Sequence, residues 1–277
     1  MTEPTSGTVT SGLAEIFFEV AGDGPLMVMI HAGVADHRQW DAAFNHFQHT
    51  HRVLRYDMRG FGRSRPADES YRPIDDLEAV LRANHFDAPT IMMGCSMGGT
   101  LAMDYTIAHP GAVAALIMVC SGPSGLRLDV EAPAKFAEVE KAEQENDLDL
   151  VCELETQIWF DGSDRRPEDV DPQARALLYD MNRIALEHDA AGLGQQQYDL
   201  TPAAYKRMDE IDVPVLIVTG AHDVPFMAAA ASRMRDAITH TESYEFPDAA
   251  HLPNMEHPER FNTVVQEFLA RTQGDGS

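Results

Sequence analysis

The sequence predicts an α/β fold with a doubly wound, mostly parallel sheet and helices on both faces. Two observations carry this prediction. Short apolar segments alternate along the chain with segments whose apolar residues recur every three or four positions, as strands alternate with helices in such folds. Residues 115–119 and 215–218 are also apolar throughout, which is typical of strands buried on both faces of a parallel sheet. With 277 residues, 44% of them hydrophobic, the chain is long enough to bury a sizeable core.

The predicted elements follow in chain order. Residues 14–20 and 26–30 are strand-like, and the turn-forming residues between them predict that the two strands form a hairpin. The remaining elements are a strand over 52–56, a helix over 74–83, strands over 91–93, 115–119, 215–218 and 243–246, and a closing helix with apolar positions 261, 264, 265, 268 and 269. Only the two chain termini are predicted to be frayed.

Residues 123–207 interrupt this alternation with acidic, mainly helical sequence. Asp171 and Pro172 are typical of a helix start, and apolar residues then recur at helical spacing from Leu177. We therefore predict a helical cap, residues 123–207, inserted into a core formed by residues 1–122 and 208–277.

Two adjacent aromatic residues in this predicted cap are candidate substrate-binding residues. Trp159 and Phe160 follow a helical face formed by Val151, Leu154 and Ile158. They could line a pocket beneath the cap, although aromatic residues at helix ends more often serve ordinary packing.

Composition excludes several classes of protein. Lys and Arg number 21 against 45 Asp and Glu, a formal charge of −24, so the surface repels nucleic acid and anionic membranes. No apolar run approaches the roughly 20 residues that cross a bilayer, and residues 1–12 lack the pattern of a signal peptide. The 3 cysteines show no metal-ligand spacing and predict buried thiols rather than disulfides. We expect a soluble cytoplasmic enzyme, either a monomer or a homodimer.

Residues 94–98 (GCSMG) have the pattern of a nucleophile elbow. An apolar strand precedes them and a helical pattern follows, so Ser96 falls on the strand-to-helix turn. A tight turn forces the nucleophile into a strained backbone conformation, and the flanking glycines relieve crowding. The context predicts that Ser96 is a catalytic nucleophile.

A serine nucleophile needs a base, and the base needs an orienting acid. Asp223 follows the strand at 215–218, and His251 follows the last strand, so both fall at the carboxyl ends of strands. The Ser96 hydroxyl would give its proton to His251, while Asp223 would fix the imidazole tautomer. His109, His222 and His257 each have a local structural role, and residues 119–122 (VCSG) before the predicted cap offer no carboxylate.

The loop after the strand at 26–30 is the candidate oxyanion hole. Backbone N–H groups of Gly33 and Met97 could point at a tetrahedral oxyanion. Val34 could supply the donor instead of Gly33 if the loop register differs by one, and it is a further candidate substrate contact.

Five segments together resemble the α/β-hydrolase superfamily, of the capped serine-hydrolase type and close to its esterase and 3-oxoadipate enol-lactonase-like branch. The segments are residues 31–33 (HAG), 57–64 (DMRGFGRS), 94–99 (GCSMGG), 220–223 (GAHD) and His251. The resemblance implies that Ser96, His251 and Asp223 form a triad, that the Gly33 and Met97 amides form the oxyanion hole, and that the Asp57 segment is structural. Many relatives have His-Gly where this chain has His31 and Ala32.

The sequence therefore predicts hydrolysis of a carboxylic ester or lactone through an acyl-enzyme. Dehalogenases and epoxide hydrolases of this superfamily use an aspartate nucleophile, so the serine disfavours those reactions. Thioester hydrolysis, carbon–carbon bond hydrolysis and perhydrolysis use the same triad and stay open, as does a ligand-binding protein on the same fold. No metal constellation or phosphate-binding loop is present in the sequence, and we expect neither metal nor cofactor.

Overall fold

A computed structural model of the chain, which describes residues 4–197 and 199–274, shows a main sheet of eight strands. The strands are β1 Thr5–Ser11, β2 Ala14–Ala21, β3 Leu26–Ile30, β4 Arg52–Tyr56, β5 Ser70–Tyr71, β6 Thr90–Cys95, β7 Val113–Val119, β8 Gln195–Gln196, β9 Val215–Gly220 and β10 Thr241–Phe246. Their order in the main sheet is β1-β2-β4-β3-β6-β7-β9-β10, and β5 pairs separately with β8. β2 is antiparallel to both of its neighbours, and all later pairs are parallel.

Helices cover both faces of this sheet. They are α1 Asp41–Phe47, α2 Pro73–Ala83, α3 Met97–Ala108, α4 Lys135–Gln144, α5 Leu148–Thr156, α6 Pro172–Asp189, α7 Pro225–Ala237, α8 Pro253–Glu256 and α9 Pro258–Gly274. Proline opens five of them, where its fixed φ suits the first turn and its missing N–H is not needed.

The core consists of two apolar layers separated by the sheet. Along β3, Met27 and Met29 pack into the layer that contains residues of α1 and α9, whereas Val28 and Ile30 pack into the layer of α2, α3 and α7. Successive strand residues point to opposite faces, so a strand that is apolar throughout contributes to both layers. The predicted doubly wound α/β fold is confirmed.

The predicted hairpin between the second and third strands is wrong. β2 pairs with β1 and β4, while β3 lies between β4 and β6. Four of the five residues of β3 are fully buried, which suits an interior position in the parallel part of the sheet. The residues after β2 therefore carry the chain across to β3, and β4 later fills the place between these two strands.

The observed hairpin joins β1 to β2 instead. Residues 5–11 pair along their whole length with residues 14–20, through a turn at Gly12 and Leu13. The prediction of a frayed amino terminus is thus wrong for Thr5–Ser11, and residues 1–3 and 275–277 lie outside the described residues. β1 is polar and mostly exposed because it forms one edge of the sheet.

The described residues between β7 and β9 form three α-helices, α4 to α6, and no strand of the main sheet. Val151, Leu154 and Ile158 are buried together, as their spacing predicted, in a small cluster that also holds Val224 of the core. The boundaries of the cap stay a prediction. Within the described residues, no helix is both long and apolar enough to cross a membrane.

The loops after β9 and β10 approach each other very closely. A Cβ placed on Gly220 would lie 1.9 Å from the carbonyl oxygen of Ala250. Ala221 and His222 also donate backbone hydrogen bonds to Phe246 and Ala249. Asp223 and His251 are therefore carried by two loops that are packed backbone to backbone.

We expect Gly220→Ala to destabilise the fold by about 1–3 kcal/mol, because the new methyl group must push two backbone segments apart. Urea unfolding followed by circular dichroism measures this effect. Gly7→Ala is the matched control, since its Cβ would meet only the Phe18 ring, at 3.1 Å, and that ring can move. Equal stabilities of the two variants would contradict the proposed constraint.

Candidate active site

Ser96 lies on the sharp turn between β6 and α3. Its backbone has φ of 49° and ψ of −116°, in the positive-φ region that non-glycine residues rarely occupy. The turn is held by hydrogen bonds on both sides of the peptide. Ser96 N–H donates to the Val119 carbonyl at 2.9 Å, and the Ser96 carbonyl accepts from the Ser121 hydroxyl at 2.6 Å.

Two glycines allow this turn to pack against the sheet. A Cβ on Gly94 would lie 2.3 Å from the Gly98 carbonyl oxygen, and a Cβ on Gly98 would lie 2.3 Å from the Ile30 carbonyl oxygen. Any larger residue at either position would separate α3 from β6 or β3. The spacing of the two glycines around Ser96 thus has a steric reason.

The structure brings Asp223 and His251 together, although 27 residues lie between them in the chain. His251 Nδ1 lies 2.8 Å from Asp223 Oδ2, and the two residues are 1% and 8% exposed. The second oxygen of Asp223 accepts from the Val224 N–H at 2.7 Å. Both carboxylate oxygens therefore have donors, which fixes the carboxylate relative to the imidazole ring.

Contacts on both sides tie the His251 loop to the elbow and to the predicted cap. Cys95, next to Ser96, places its Sγ 3.7 Å from the His251 carbonyl oxygen. On the other side, the Trp159 carbonyl accepts from the His251 N–H at 3.2 Å, and the centroids of the two side-chain rings lie 4.5 Å apart. Trp159 is therefore in contact with the candidate base.

Phe160 and Val34 are placed differently from Trp159. Phe160 is fully buried in the main apolar cluster, and Val34 packs against the same cluster from a partly buried position. The segment from Gln157 to Asp161 forms a π-helical turn, a wider turn that often occurs at functional sites. The turn directs adjacent aromatic rings to different surroundings.

Arg165 ties this π-helical turn to the loop that carries His251. Its guanidinium donates to the carbonyl oxygens of Phe160, Asp161 and Asp248 at 2.7–2.8 Å. It also lies 2.6 Å from Glu256 Oε2, while Glu256 Oε1 accepts from the Ala250 N–H at 2.7 Å. Burial raises the pKa of Glu256 even though Arg165 acts in the opposite direction. This network was not predicted, because nothing in the local sequence pairs Arg165 with a residue so far along the chain.

The predicted oxyanion loop lies against the start of α3. A Cβ on Gly33 would be in ordinary van der Waals contact with the Met97 side chain, at 3.6–3.8 Å. Among the described residues, the N–H groups of Gly33, Val34 and Met97 donate to no backbone carbonyl. These free donors are what an oxyanion hole requires.

His31 fixes the shape of that loop. Its Nε2 accepts from the Met58 N–H at 2.9 Å, so its Nδ1, 2.7 Å from the Ala32 carbonyl oxygen, must carry the proton. Burial lowers the pKa of His31, in agreement with this neutral form. Gln39 adds a second tie, because its Oε1 accepts from the Ala32 N–H at 2.8 Å.

Asp57 has the structural role that the resemblance implied. It is fully buried, and it accepts from the backbone and the ring of His37 at 2.7 Å and from the Arg63 N–H at 2.8 Å. Burial tends to raise the pKa of Asp57, but the hydrogen bonds from His37 outweigh it and lower the pKa. Asp57 thus holds together the loops that follow β3 and β4.

Two buried clusters have the residue types of a metal site. One contains Asp36, His37 and Asp57, and the other contains Cys120 with Asp223 and His251. In the first cluster, Asp36 already pairs with Arg38 and Asp57 with His37. In the second, burial raises the pKa of the Cys120 thiol well above its usual value, which disfavours the thiolate that binds metals. The donor sets of both clusters are accounted for without a metal.

The other histidines considered in the sequence have separate environments. His109 Nε2 lies 2.9 Å from Glu78, and His257 Nε2 lies 3.3 Å from Asp248. The backbone carbonyl of His222 accepts from Ser163 N–H. Cys95, Cys120 and Cys152 are free and buried, as predicted.

The sheet order, with a sharp strand-to-helix turn after β6, is that of an α/β-hydrolase fold, and comparison with known proteins agrees. The sequence model of the alpha/beta hydrolase fold family matches residues 25–258, and the chain belongs to this family. A pimeloyl-(acyl-carrier protein) methyl ester esterase of Hamiltonella defensa is 28% identical over 90% of this chain and 95% of that protein. The 2-hydroxy-6-oxo-6-(2'-aminophenyl)hexa-2,4-dienoic acid hydrolase of Metapseudomonas resinovorans is 25% identical over 95% of this chain and 90% of that protein.

A solved structure gives the same fold. The enol-lactonase from Burkholderia xenovorans superposes with a TM-score of 0.76 at 20% identity, over 95% of this chain and 100% of that chain. At this identity the likeness concerns the fold. The family membership makes the chain a hydrolase.

We expect Arg165→Met to destabilise the protein by about 3–5 kcal/mol, because it leaves the buried Glu256 carboxylate without its partner. The double variant Arg165→Met/Glu256→Gln should be more stable than Arg165→Met alone, since glutamine keeps an acceptor for the Ala250 N–H and carries no charge. Arg166→Met is the control, because Arg166 is exposed and its ion pair with Asp169 is at the surface. Chemical unfolding of the four proteins gives the comparison. A double variant no more stable than the single one would contradict the buried ion pair.

The lowered pKa of His31 predicts a pH-dependent stability. Below the ordinary value of 6.5 the unfolded chain takes up a proton at His31 that the folded chain refuses, so stability should fall as pH falls. Relative to His31→Gln, the wild type should lose up to about 1.4 kcal/mol per pH unit below that value. Urea unfolding at several pH values between neutral and mildly acidic measures the difference. A difference that does not change with pH would exclude the buried neutral imidazole.

Proposed function

We propose that this chain is a serine hydrolase that cleaves a carboxylic ester or lactone through an acyl-enzyme intermediate. The observation that carries the proposal is the buried hydrogen bond of 2.8 Å between His251 and Asp223, on a loop that contacts the elbow of Ser96 through Cys95. A free serine hydroxyl is a weak nucleophile, and a positioned imidazole next to it is the group that activates it.

The proposed steps follow from this geometry. The Nδ1 atom of His251 faces Asp223, so Nε2 is the nitrogen that accepts the Ser96 proton as the hydroxyl attacks the carbonyl carbon. His251 then donates this proton to the leaving alcohol. In the second half-reaction it accepts a proton from water, whose oxygen attacks the acyl carbon, and it then returns that proton to the Ser96 oxygen as the bond between this oxygen and the acyl carbon breaks and the acid leaves. Asp223 stabilises the imidazolium in both halves.

We assign the oxyanion hole to the N–H groups of Gly33 and Met97, with Val34 as the alternative donor to Gly33. The support is that these N–H groups have no backbone acceptor among the described residues, and that Gly33 lies against Met97. Loss of one such donor typically lowers turnover by roughly 10²–10³. The two hydrogen bonds to the Ala32 backbone, from His31 and Gln39, would keep the loop in position.

We further propose that residues 123–207 act as a cap and that Trp159 contacts the substrate, because its ring lies 4.5 Å from that of His251. Phe160 and Val34 would support this wall from the apolar cluster. Small-molecule esters or lactones fit a site enclosed in this way. A cytoplasmic location and a monomeric or homodimeric state stay predictions from the sequence.

Carbon–carbon bond hydrolysis is the second candidate function. It is favoured by the relative from Metapseudomonas resinovorans, whose named substrate contains neither an ester nor a lactone. The methyl ester esterase from Hamiltonella defensa favours the first candidate at a slightly higher identity. Thioester hydrolysis and perhydrolysis would use the same three residues, and a binding protein would need none of them to react.

We expect a fluorophosphonate to add once to the wild type and not to Ser96→Ala, as seen in the intact-protein mass. Ser163→Ala is the control, because Ser163 is an exposed serine that the reagent can reach and that does not hold the Ser96 turn. Ser96→Ala should also lower turnover by several orders of magnitude, up to about 10⁶. Labelling of the Ser96→Ala protein would refute the assignment of the nucleophile.

A matched set of p-nitrophenyl esters, methyl esters, lactones, thioesters and a vinylogous diketone then separates the candidate reactions. Ester or lactone turnover that disappears in Ser96→Ala supports the first candidate, and turnover of the diketone alone supports the second. A folded protein that is neither labelled nor active on any member would favour the binding protein.

A further inference from the structure

A cavity that neither Asp223 nor His251 lines runs along one side of α3. It has a volume of about 200 Å³, and we call it the α3 cavity. One wall is a single face of the helix, formed by Met97, Thr100, Leu101 and Asp104. Because these residues are three or four positions apart, their side chains lie on the same side of α3. The wall begins at the residue after Ser96 and extends about 10 Å along the helix.

The remaining walls combine apolar side chains with a few polar groups. Met58 and Phe61 from the loop after β4 contribute apolar surface, and Tyr56 and Tyr71 contribute rings. Gln196 and Gln197 also line the cavity and are exposed, so the cavity reaches the surface beside them.

Two carboxyl groups in the α3 cavity, those of Asp104 and Asp199, form no salt bridge among the described residues. Asp104 is 4% exposed and accepts from the Ser124 hydroxyl at 2.7 Å, while Asp199 accepts from the Ile74 N–H at 3.1 Å. Burial and the charge of Asp199 raise the pKa of Asp104 to about 6, and burial raises the pKa of Asp199 to about 6 although Arg72 acts in the opposite direction. Asp104 is buried and Asp199 is half-buried, and carboxylates removed from water in this way are normally paired, so the two are unusual.

Arg59, the one arginine among the described residues that line the cavity, is already paired with carboxylates. Arg59 lies 2.7 Å from Asp76 and 2.6 Å from Glu69, and it donates to the Ser11 carbonyl at 2.9 Å. Arg59 is therefore held against two other carboxylates and does not compensate Asp104 or Asp199.

An independent observation points to a ligand in the same place. Tyr56 lines the cavity and is 1% exposed, and its hydroxyl has no hydrogen-bond partner among the described residues. Burial raises the pKa of Tyr56, and the charges of Asp76 and Asp199, which line the same cavity, raise it further. A buried hydroxyl without a partner is costly, so the group is poised for an acceptor or donor that the protein does not supply.

The mixture of groups selects one chemical class of ligand. Two carboxylates attract a cation, and the overall charge of −24 raises the local concentration of cations. Hard metal ions prefer six or more oxygen ligands, whereas the walls here are largely carbon and aromatic rings. Aromatic faces and carboxylates together are typical of sites for organic ammonium groups.

We propose that the α3 cavity binds a small organic ammonium ion, with the ammonium group between Asp104 and Asp199 and the apolar part against Met97 and Leu101. The Tyr56 hydroxyl then gains a polar neighbour. The proposal does not depend on the hydrolytic reaction, and binding can be measured on Ser96→Ala as well as on the wild type.

Isothermal titration calorimetry with phenethylammonium tests the proposal, with 2-phenylethanol as the uncharged probe of the same shape. We expect phenethylammonium to bind at least about tenfold more tightly than the alcohol, since hydrogen bonds to charged groups are the stronger ones. Asp104→Asn/Asp199→Asn should remove this preference, while each asparagine keeps an acceptor for Ser124 or Ile74. Asp87→Asn/Asp129→Asn, at two exposed positions, removes the same net charge and should keep the preference.

Tyr56→Phe is the second variant, in case the asparagine pair perturbs folding. Because the hydroxyl has no partner to lose, Tyr56→Phe should be at least as stable as the wild type to urea, yet it should bind phenethylammonium several-fold more weakly. Lower stability together with unchanged affinity would show that the hydroxyl serves the fold alone, and would overturn the proposal.

The pH dependence gives a further readout. Phenethylammonium stays protonated through neutral pH, like a lysine side chain, so its affinity should rise between about pH 5 and 7.5 as the carboxyl pair ionises. The other titratable groups that act on the pair or share the cavity are Arg59, Tyr56, Tyr71, Arg72, Asp75 and Asp76. An affinity for phenethylammonium that equals the affinity for 2-phenylethanol, or that is unchanged in Asp104→Asn/Asp199→Asn, would overturn the proposal.

Discussion

The close packing of the loops that follow β9 and β10 is the constraint on which the candidate site depends. Gly220 allows one backbone to rest on the carbonyl of Ala250, and this contact sets the distance between Asp223 and His251. The Trp159 carbonyl and the Arg165–Glu256 ion pair then attach the predicted cap to the same loop. The core and the predicted cap therefore meet at the backbone of His251, so a displacement of either would move the imidazole ring.

The sequence predicted the strands well where both faces of a strand are buried, because a short apolar run such as 215–218 is typical of the interior of a parallel sheet. It failed at the β2–β3 hairpin. Turn residues show that the chain changes direction, but they do not show which strand the next segment pairs with. The pairing of β3 depended on its filling the interior position between β4 and β6. β1 was missed because an exposed edge strand carries no apolar signal. Its backbone hydrogen bonds to β2 hold it in the sheet instead.

At the candidate site, the chain order of Ser96, Asp223 and His251 was readable because each follows a recognisable strand. The supporting contacts were not readable. His31 bridges Ala32 and Met58, and Arg165 bridges the π-helical turn and Glu256, through partners that only the folded chain brings together. Trp159 and Phe160 show the same limit at neighbouring positions, since helical spacing could not tell which ring would lie against His251 and which would enter the core.

Helix α3 connects the candidate site to the α3 cavity, because its first residue belongs to both. Elsewhere the fold pairs buried charges: Arg59 is paired with Asp76, Arg165 with Glu256, and Arg38 with Asp36. Asp104 and Asp199 depart from this rule within the same cavity that contains the paired Arg59. Burial alone makes their ionisation unfavourable, so a fold selected only for stability would gain by replacing them with neutral residues. Two carboxyl groups kept at this cost, in a cavity where the Tyr56 hydroxyl has no partner among the described residues, are the basis for proposing a positively charged group that arrives from outside the chain.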